Sequence, residues 1–571
     1  MVTGSFQDPP RLRDEWQEDL ALRRLLERIL PPTVLGEVTP SLASMGHLAA
    51  TELKTWSDQM DDARHEPRLV PFDAWGNPID EVEVSPLWER IGDVGKQHGV
   101  VAIAYERTHG EHSRVHQMAL AYLYGPSSAL YSCPFAMTDG AATTLLAHGD
   151  RDLIDRAVPR LTSRDPGHAW TSGQWMTERP GGSDVGRSET VASQDGGVWR
   201  LHGTKWFTSA VTADMALTLA RPEGNAAGGR GLAMFYVEVR DEQRRLNELR
   251  VLRLKDKLGT RQMPTAELAL EGTVAHLVGA PADGTRAITP MLGITRLWNA
   301  VIAAGSLRRG LALARDYALR REAFGGPIGD HPLHQSTLAW LRVQHEAALQ
   351  LVFRTVQLLG REEAGVASEQ ERLALRLLLP VTKLTTGKQA VAGASEALEA
   401  FGGAGYIEDT HLPQLLRDAQ VLPIWEGTTN VLSLDVLRGM RDQGALPALL
   451  SELRRSAHAA THQELATIGQ QAMDAGDHAA AWLTQAMDAG PASVEHGARR
   501  FALTLGRALQ AALLAEQAQH DLDVHGDGRA MAVARRFADE GIDLLEAPGE
   551  GLATDAALAR DEHLEVAPSD A

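Results

Sequence analysis

One carboxylate in this chain stands in unusual company. Glu426 lies in LPIWEGTTN (422–430), between a bulky aromatic and a glycine and just ahead of two threonines. A carboxylate set among apolar groups has its pKa raised toward the range of a general base, although most glutamates simply face solvent. Hydroxyls and glycines gather in WMTERPGGSDVG (175–186). A strand-like segment there ends at Thr177-Glu178 and turns through Pro180-Gly181-Gly182 to Ser183-Asp184. Adjacent glycines let backbone approach a flat or phosphorylated ligand, and the hydroxyls of Thr177 and Ser183 could bond a heterocycle edge; an ordinary β-turn uses the same residues. In GTKWFTSA (203–210), period-two geometry puts Trp206 and Thr208 on one side of a strand. That pair offers an aromatic face with a hydroxyl, or a buried core tryptophan.

Two further clusters are rich in glycine. FGGAGY (401–406) follows a helical pattern, where such glycines cap helices or cradle phosphates. It does not fit G-x-G-x-x-G after a strand, so a Rossmann dinucleotide site is not supported. RREAFGGPI (320–328) places Arg321 and Phe324 one helical step apart at a helix end. That suits an anion and a stacked ring, or a solvated arginine and a core phenylalanine. His112 and His116 are four apart, a spacing that could ligate metal. No third ligand and no H-E-x-x-H accompanies them, so no metal site is expected. There is no G-x-S-x-G elbow, which argues against a hydrolase triad.

These residues need elements to position them. Apolar residues recur at helical spacing in 12–30 (Leu22, Leu25, Leu26, Ile29) until Pro31-Pro32. A Pro- and Gly-punctuated stretch near 66–78 follows, and helical pattern resumes at 86–125 and 138–157. At about 166 the texture changes. Segments 196–210, 213–221, 232–239 and 265–272 are short, β-branched or alternating, and divided by Gly-rich turns, as antiparallel strands are. Long helical patterns return at 294–320, 333–360 and 370–402. Helices, then a small sheet, then helices argues against a doubly wound sheet. The expected organisation is a helical domain at 1–165, a middle β-domain at 166–285, a helical bundle at 286–440 and an additional helical domain at 441–571. The last ends in a tail, APGEGLATDAALARDEHLEVAPSDA, expected to be mobile.

Composition narrows the classes. With 571 residues, 44% hydrophobic and 23% charged, the chain can bury a sizeable core. Cys133 is the single cysteine, which excludes internal disulfides and cysteine-based metal sites. Seven lysines against 49 arginines reflect a GC-rich genome rather than a function. The start of the chain has no apolar core and turns acidic early, and no run of 18 apolar residues occurs, so a cytoplasmic protein with no membrane association is expected. The net charge is −19. Residues 441–571 contribute −11 of it, from 21 acidic residues against 10 arginines.

Taken in order, W-M-T-E-R-P-G-G-S-D, K-W-F-T-S, a helix starting I-T-R, R-x-x-F-G, F-G-G-A-G-Y and W-E-G-T-T-N resemble the acyl-CoA dehydrogenase family over roughly residues 85–440. SCPFAMTDGA (132–141), LKDKLGTRQM (254–263), WEGTTNVLSLDVLR (425–438), the N-terminal extension and the extra C-terminal domain resemble its AidB-like branch. The resemblance implies a helical domain, a middle β-domain and a helical bundle, binding FAD and assembling as a homodimer or homotetramer. It implies that Thr177, Gly182 and Ser183 lie near the flavin and its pyrophosphate, and that Trp206 and Thr208 flank the isoalloxazine ring. Arg321, Phe324, Gly402 and Gly403 would meet the FAD of a partner subunit, and Thr428 and Asn430 would touch FAD after the base. Arg296 would lie near the active centre. Family members often carry Gln eight residues after the phenylalanine; here that position is Pro332, and Gln335 is the nearest substitute. Some relatives carry their base on the I-T-R helix, but Thr295 cannot serve, which leaves Glu426.

The implied activity is oxidoreduction of an acyl-CoA in fatty acid metabolism. Glu426 would take the α-proton and a flavin the β-hydride, giving a 2-enoyl-CoA, with an electron-transfer flavoprotein as acceptor. Two other readings stand beside it: a flavoprotein that binds acyl-CoA with weak turnover, and a protein of the DNA alkylation response. The acidic C-terminal domain argues against DNA as a partner, because like charge repels phosphate. Arg499 and Arg500 read as a solvated helix face paired with nearby acids.

Overall fold

The computed structural model describes residues 7–241, 243 and 245–564. The chain divides into two compact units. One takes the residues up to Ala367 together with Thr386–Gly427; the other takes Ser368–Thr385 and the residues from Thr428 onward.

In the first unit, the N-terminal helical pattern forms Glu15–Glu18 and Leu20–Ile29. Pro31-Pro32 ends that run, yet Pro32 also opens the next helix, Pro32–Ala50. The missing N–H and fixed φ of proline suit a first turn. The punctuated stretch that follows is a hairpin, β1 (Arg68–Phe72) with β2 (Pro78–Glu83). Helices Pro86–Gln97, Ser113–Tyr124, Ser132–His148 and Arg151–Leu161 complete this region.

Seven strands follow: β3 (Ser172–Trp175), β4 (Val191–Asp195), β5 (Val198–Ser209), β6 (Met215–Pro222), β7 (Ala233–Glu238), β8 (Leu249–Leu254) and β9 (Thr265–Val278). They run in the order β3-β6-β4-β5-β9-β7, with β8 also on β9 and a further β6–β7 pairing that closes the sheet on itself. Most neighbours are antiparallel, but β6 runs parallel to both β3 and β4. The interior is apolar: Trp175, Phe235, Val237 and Leu268 are all at most 1% exposed.

Two long helices follow, Thr289–Arg320 and Pro332–Glu363, and the first carries Thr295, Arg296 and Asn299. A buried polar knot sets the first of them. Asp139, wholly buried, accepts from Arg114 Nη1 at 2.7 Å, Trp298 Nε1 at 2.8 Å, Gln117 Nε2 at 2.9 Å and the Tyr105 hydroxyl at 2.7 Å. One carboxylate thereby fastens three helices, and every buried partner is satisfied. Trp298 lies one turn from Thr295, so the knot also fixes the start of the site.

The second unit includes Thr429–Gly439, Ala445–His458, Gln463–Ala489, Pro491–His525, Arg529–Asp539 and Leu552–Arg560. Alanine and glycine let its two longest helices approach closely: Trp482 stacks on Phe501 at 5.5 Å, and a Cβ at Gly497 would fall 2.1 Å from the Trp482 ring. Arg500 pairs with Glu546 at 2.9 Å, as a solvated helix face would. The final stretch carries the helix Leu552–Arg560, where Asp555 lies 2.9 Å from His496; residues 565–571 lie outside the described residues.

Candidate active site

Glu426 lies just past the tight turns Ile424 N–H to Val421 O (2.8 Å) and Trp425 N–H to Val421 O (3.0 Å). Its φ is +58°, a left-handed conformation that costs a non-glycine residue about 1 kcal/mol or more. The surroundings hold it there. Thr295 donates its hydroxyl to Glu426 Oε2 at 2.7 Å, Arg296 Nε donates to the Glu426 carbonyl at 3.2 Å, and Asn299 Nδ2 donates to the Leu422 carbonyl at 3.2 Å. Three residues within two turns of one helix thus clamp the segment. The backbone N–H of Glu426 has no hydrogen-bond partner among the described residues. Carboxylate and free amide therefore belong to one half-buried residue.

Two other ionisable groups feel this corner. Burial, with the negative charge of Glu426 added, pushes the Cys133 thiol far above its ordinary range, so it is an inert apolar group. Lys257 donates to the Met263 carbonyl at 2.8 Å and to Thr265 Oγ1 at 3.0 Å. Burial pulls its amine down to about 8.

A second cluster forms where β3 leaves the sheet. Trp206 N–H donates to the Thr177 carbonyl at 2.9 Å. A Cβ at Gly182 would lie 2.6 Å from Thr177 Oγ1, so the turn closes on Thr177 only with glycine there. Ser183 is exposed. The anchor of this turn escaped the sequence reading. Glu178, 2% exposed, accepts from Lys205 Nζ at 2.6 Å, Thr190 Oγ1 at 2.6 Å and the Glu189 N–H at 2.6 Å. Burial would raise this carboxyl, but Lys205 and the hydrogen bonds outweigh it and hold it below its ordinary value. Trp206 is half-buried, with Lys255 Nζ 3.5 Å from its ring centroid. Thr208 is fully buried and donates to the Ala266 carbonyl at 2.8 Å. A register shift between Lys205 and Thr208 interrupts the strict alternation that would pair Trp206 with Thr208.

Arg321 does sit at a helix end, as the C-cap of Thr289–Arg320 with its N–H donating to the Tyr317 carbonyl at 2.8 Å, but Phe324 is not one helical step further on. Glu322–Ala323 pairs with Gly326–Pro327 as a tight hairpin. Phe324 sits at its tip with φ +53° and 96% exposure, its ring 6.2 Å from His331. Gln335 donates to the Gly329 carbonyl at 3.0 Å. Gly402 and Gly403 face open space, Gly402 with φ +59°. Thr428 caps the helix Thr429–Gly439 through the Val431 N–H at 3.4 Å, and Asn430 is exposed; both belong to the second unit. His116 spends Nε2 on Ser41 Oγ at 2.6 Å. Among the described residues no group of three or more His, Cys, Asp or Glu could hold a metal ion, and no helix is long and apolar enough to cross a membrane.

Known proteins share this plan. The model of the acyl-CoA dehydrogenase middle domain matches residues 173–273, and that of the C-terminal domain matches 282–441. Acyl-CoA dehydrogenase family member 11 of Caenorhabditis elegans is 48% identical over 447 residues, 76% of this chain and 72% of that protein.

The chain belongs to the acyl-CoA dehydrogenase family.

It is an AidB-like member. The model of the adaptive response protein AidB N-terminal domain matches 8–166, and the acyl-CoA dehydrogenase 11 C-terminal domain-like model matches 445–564. The putative acyl-CoA dehydrogenase AidB of Escherichia coli K12 is 34% identical over 397 residues, 68% of this chain and 71% of that protein. The crystal structure of C. elegans ACDH-11 in complex with C11-CoA has a TM-score of 0.95 at 41% identity, covering 99% of this chain and 98% of that one. The fold is therefore the acyl-CoA dehydrogenase fold with an additional C-terminal helical domain.

The residues of the β3 turn fit the FAD of this family. Gly182 opens the turn beside the Thr177 hydroxyl, Ser183 is exposed next to it, and Trp206 presents a half-buried aromatic face one hydrogen bond away.

Proposed function

We propose that the protein is an FAD-dependent acyl-CoA dehydrogenase in which Glu426 removes the α-proton of an acyl thioester. The observation that carries this reading is the position of Glu426: a carboxylate fixed by Thr295 at 2.7 Å, with its own backbone N–H unpartnered. An α-proton of a thioester is a poor acid. Its removal needs a positioned base and a donor for the charge that develops on the thioester oxygen. Glu426 supplies the base through its side chain and the donor through its amide. Thr177, Gly182, Ser183, Trp206 and Thr208 would hold the flavin, with Arg296 beside the substrate. Arg321, Phe324, Gln335, Gly402 and Gly403, together with Thr428 and Asn430, would complete the FAD sites of a homodimer or homotetramer. When bound, FAD supplies the redox chemistry, accepting the β-hydrogen and its electron pair as the 2-enoyl product forms. The protein is then a cytoplasmic enzyme of fatty acid metabolism that passes electrons to an acceptor such as an electron-transfer flavoprotein.

The acyl chain has a length. Thr295, Asn299, Ile302 and Ser306 share one face of their helix, and eleven residues at about 1.5 Å each span roughly 16 Å, the length of an extended chain of about a dozen carbons. The relative crystallised in complex with C11-CoA supports a tail of that order.

A second reading is a flavoprotein that binds acyl-CoA with weak turnover; the relative crystallised in complex with C11-CoA supports the binding it requires. An anaerobic titration of the holoprotein with acyl-CoAs of increasing length separates the two. Bleaching of the visible flavin band is the outcome for a dehydrogenase. A band that shifts without bleaching identifies a binder, and a protein that takes up no flavin removes both readings.

A further inference from the structure

A cavity of about 70 Å³ lies inside the first unit, walled by Ala129, Leu130, Ile302, Leu415, Val421 and Leu422. Its wall shares a helix with the residues that hold the base. Ile302 and Ser306 extend the helix face that begins at Thr295, and Leu422, whose carbonyl Asn299 holds at 3.2 Å, precedes Glu426 by four residues. Leu130 precedes Cys133, whose thiol feels the Glu426 charge.

An acyl pocket built only for hydrocarbon would end in apolar side chains, because a buried polar group without a partner costs roughly 1–3 kcal/mol. This one does not. The hydroxyls of Ser57 and Ser306 line the cavity with no hydrogen-bond partner among the described residues, and Ser57 is only 7% exposed. Gln414 and Asp418 also line it, and Asp418 commits Oδ1 to the Thr260 N–H at 2.6 Å. One turn nearer the base, Asn299 is 4% exposed and its Oδ1 has no partner. Arg309 reaches the wall but is occupied by Glu15 at 2.7 Å, Ser127 at 2.8 Å and the Pro126 carbonyl at 3.1 Å.

The free groups therefore include both donors and acceptors, and the one wall cation is already neutralised. A group that donates and accepts at once satisfies them; a second carboxylate would be repelled by Asp418. We propose that this cavity receives the far end of the acyl chain and selects an acyl-CoA with a hydroxyl at or near its ω carbon. The inference rests on the acyl-CoA reading of the site and adds the substrate class.

The test is competition at equilibrium. The holoprotein is dialysed anaerobically against equal amounts of an alkanoyl-CoA and its ω-hydroxy counterpart, at each length from about ten to fourteen carbons, and the bound species are quantified by mass. At one length the ω-hydroxy form should be favoured roughly five- to tenfold, as one or two net hydrogen bonds would give. In the Ser57→Ala/Ser306→Ala variant that ratio should fall to about one. If the double variant fails to fold, the two single variants replace it, each expected to reduce the ratio. Plain acyl-CoA bound with no preference at any length overturns the inference and leaves the acyl-CoA reading standing; the cavity then holds ordered water. A preference that survives both serine substitutions also overturns it. Binding of neither series removes the inference together with the reading beneath it.

Discussion

Thr295 holds Glu426 by a single hydroxyl, 2.7 Å long, across 131 residues of sequence. In a charge-assisted hydrogen bond the carboxylate takes the one hydroxyl proton in preference to the helix carbonyls of Met291 and Leu292, which lie at 3.1 and 3.3 Å. Thr295→Val keeps the shape and removes the donor. We expect kcat to fall about tenfold or more with KM little changed, since a base that wanders loses its near-attack position. Thr295→Ser should restore most of the rate. Equal kcat in the valine variant and the parent would show that the backbone alone positions Glu426.

Glu426→Gln preserves the left-handed backbone and the acceptor for Thr295 but removes the proton-accepting charge. Flavin content and acyl-CoA binding should persist while turnover drops by about 10²–10⁴-fold, the usual share of a general base. A rapid anaerobic flavin-bleaching assay reads this directly. Undiminished bleaching would move the base elsewhere.

The Glu178–Lys205 pair is buried on both sides, at 2% and 0% exposure. Lys205→Met leaves a carboxylate in the protein interior without its cation, at a cost of about 3–5 kcal/mol. Lower stability in urea, and FAD lost in proportion as the β3 turn loosens, are the expected outcomes. A variant that denatures at the parent's urea concentration would show the pair to be dispensable.

Local patterns carried much of this architecture, and long-range ones did not. The strands at 198–209, 215–222, 233–238 and 265–278 advertise themselves through alternation between Gly-rich turns. β4 (VASQD) is short and polar, and β8 (LRVLRL) interleaves arginines with its apolar residues because, among the described residues, it pairs with β9 alone. Neither reads as a strand alone. The hairpin of β1 and β2 is masked by its prolines, which count against strand. Arg321 and Phe324 have helical spacing, yet Gly325-Gly326 and the positive φ of Phe324 turn the chain into a hairpin. For the site, Glu426 and Thr177 stand out through their glycine neighbours. Thr295 and Lys205 have no such signal, since their partners are fixed by packing across 131 and 27 residues.

Phe324, Leu333 and Tyr406 are 96%, 84% and 91% exposed. The assembly proposed above would bury Phe324 in the partner contact to FAD. Phe324→Asp should give a smaller species by light scattering and a lower FAD content, because the proposed partner contact to the cofactor is lost with the assembly. A variant with unchanged mass and flavin would remove Phe324 from the interface.

Asp418 gives a pH dependence with a defined sign. Burial lifts its carboxyl from the ordinary 3.8 to about 6, with Asp61 adding to the lift against the Thr260 N–H, Arg417 and Lys257. Between those two values the folded protein keeps a proton that the unfolded chain has lost. Stability from this group therefore falls as pH rises through the window and is level above it. Asp418→Asn retains an acceptor for the Thr260 N–H and cannot ionise. Its stability relative to the parent should rise between pH 4 and pH 7 by an amount on the order of 1–3 kcal/mol, as read by urea denaturation at the two values. Parallel changes in parent and variant would mean that Asp418 titrates normally and that the cavity wall is wetter than its burial implies.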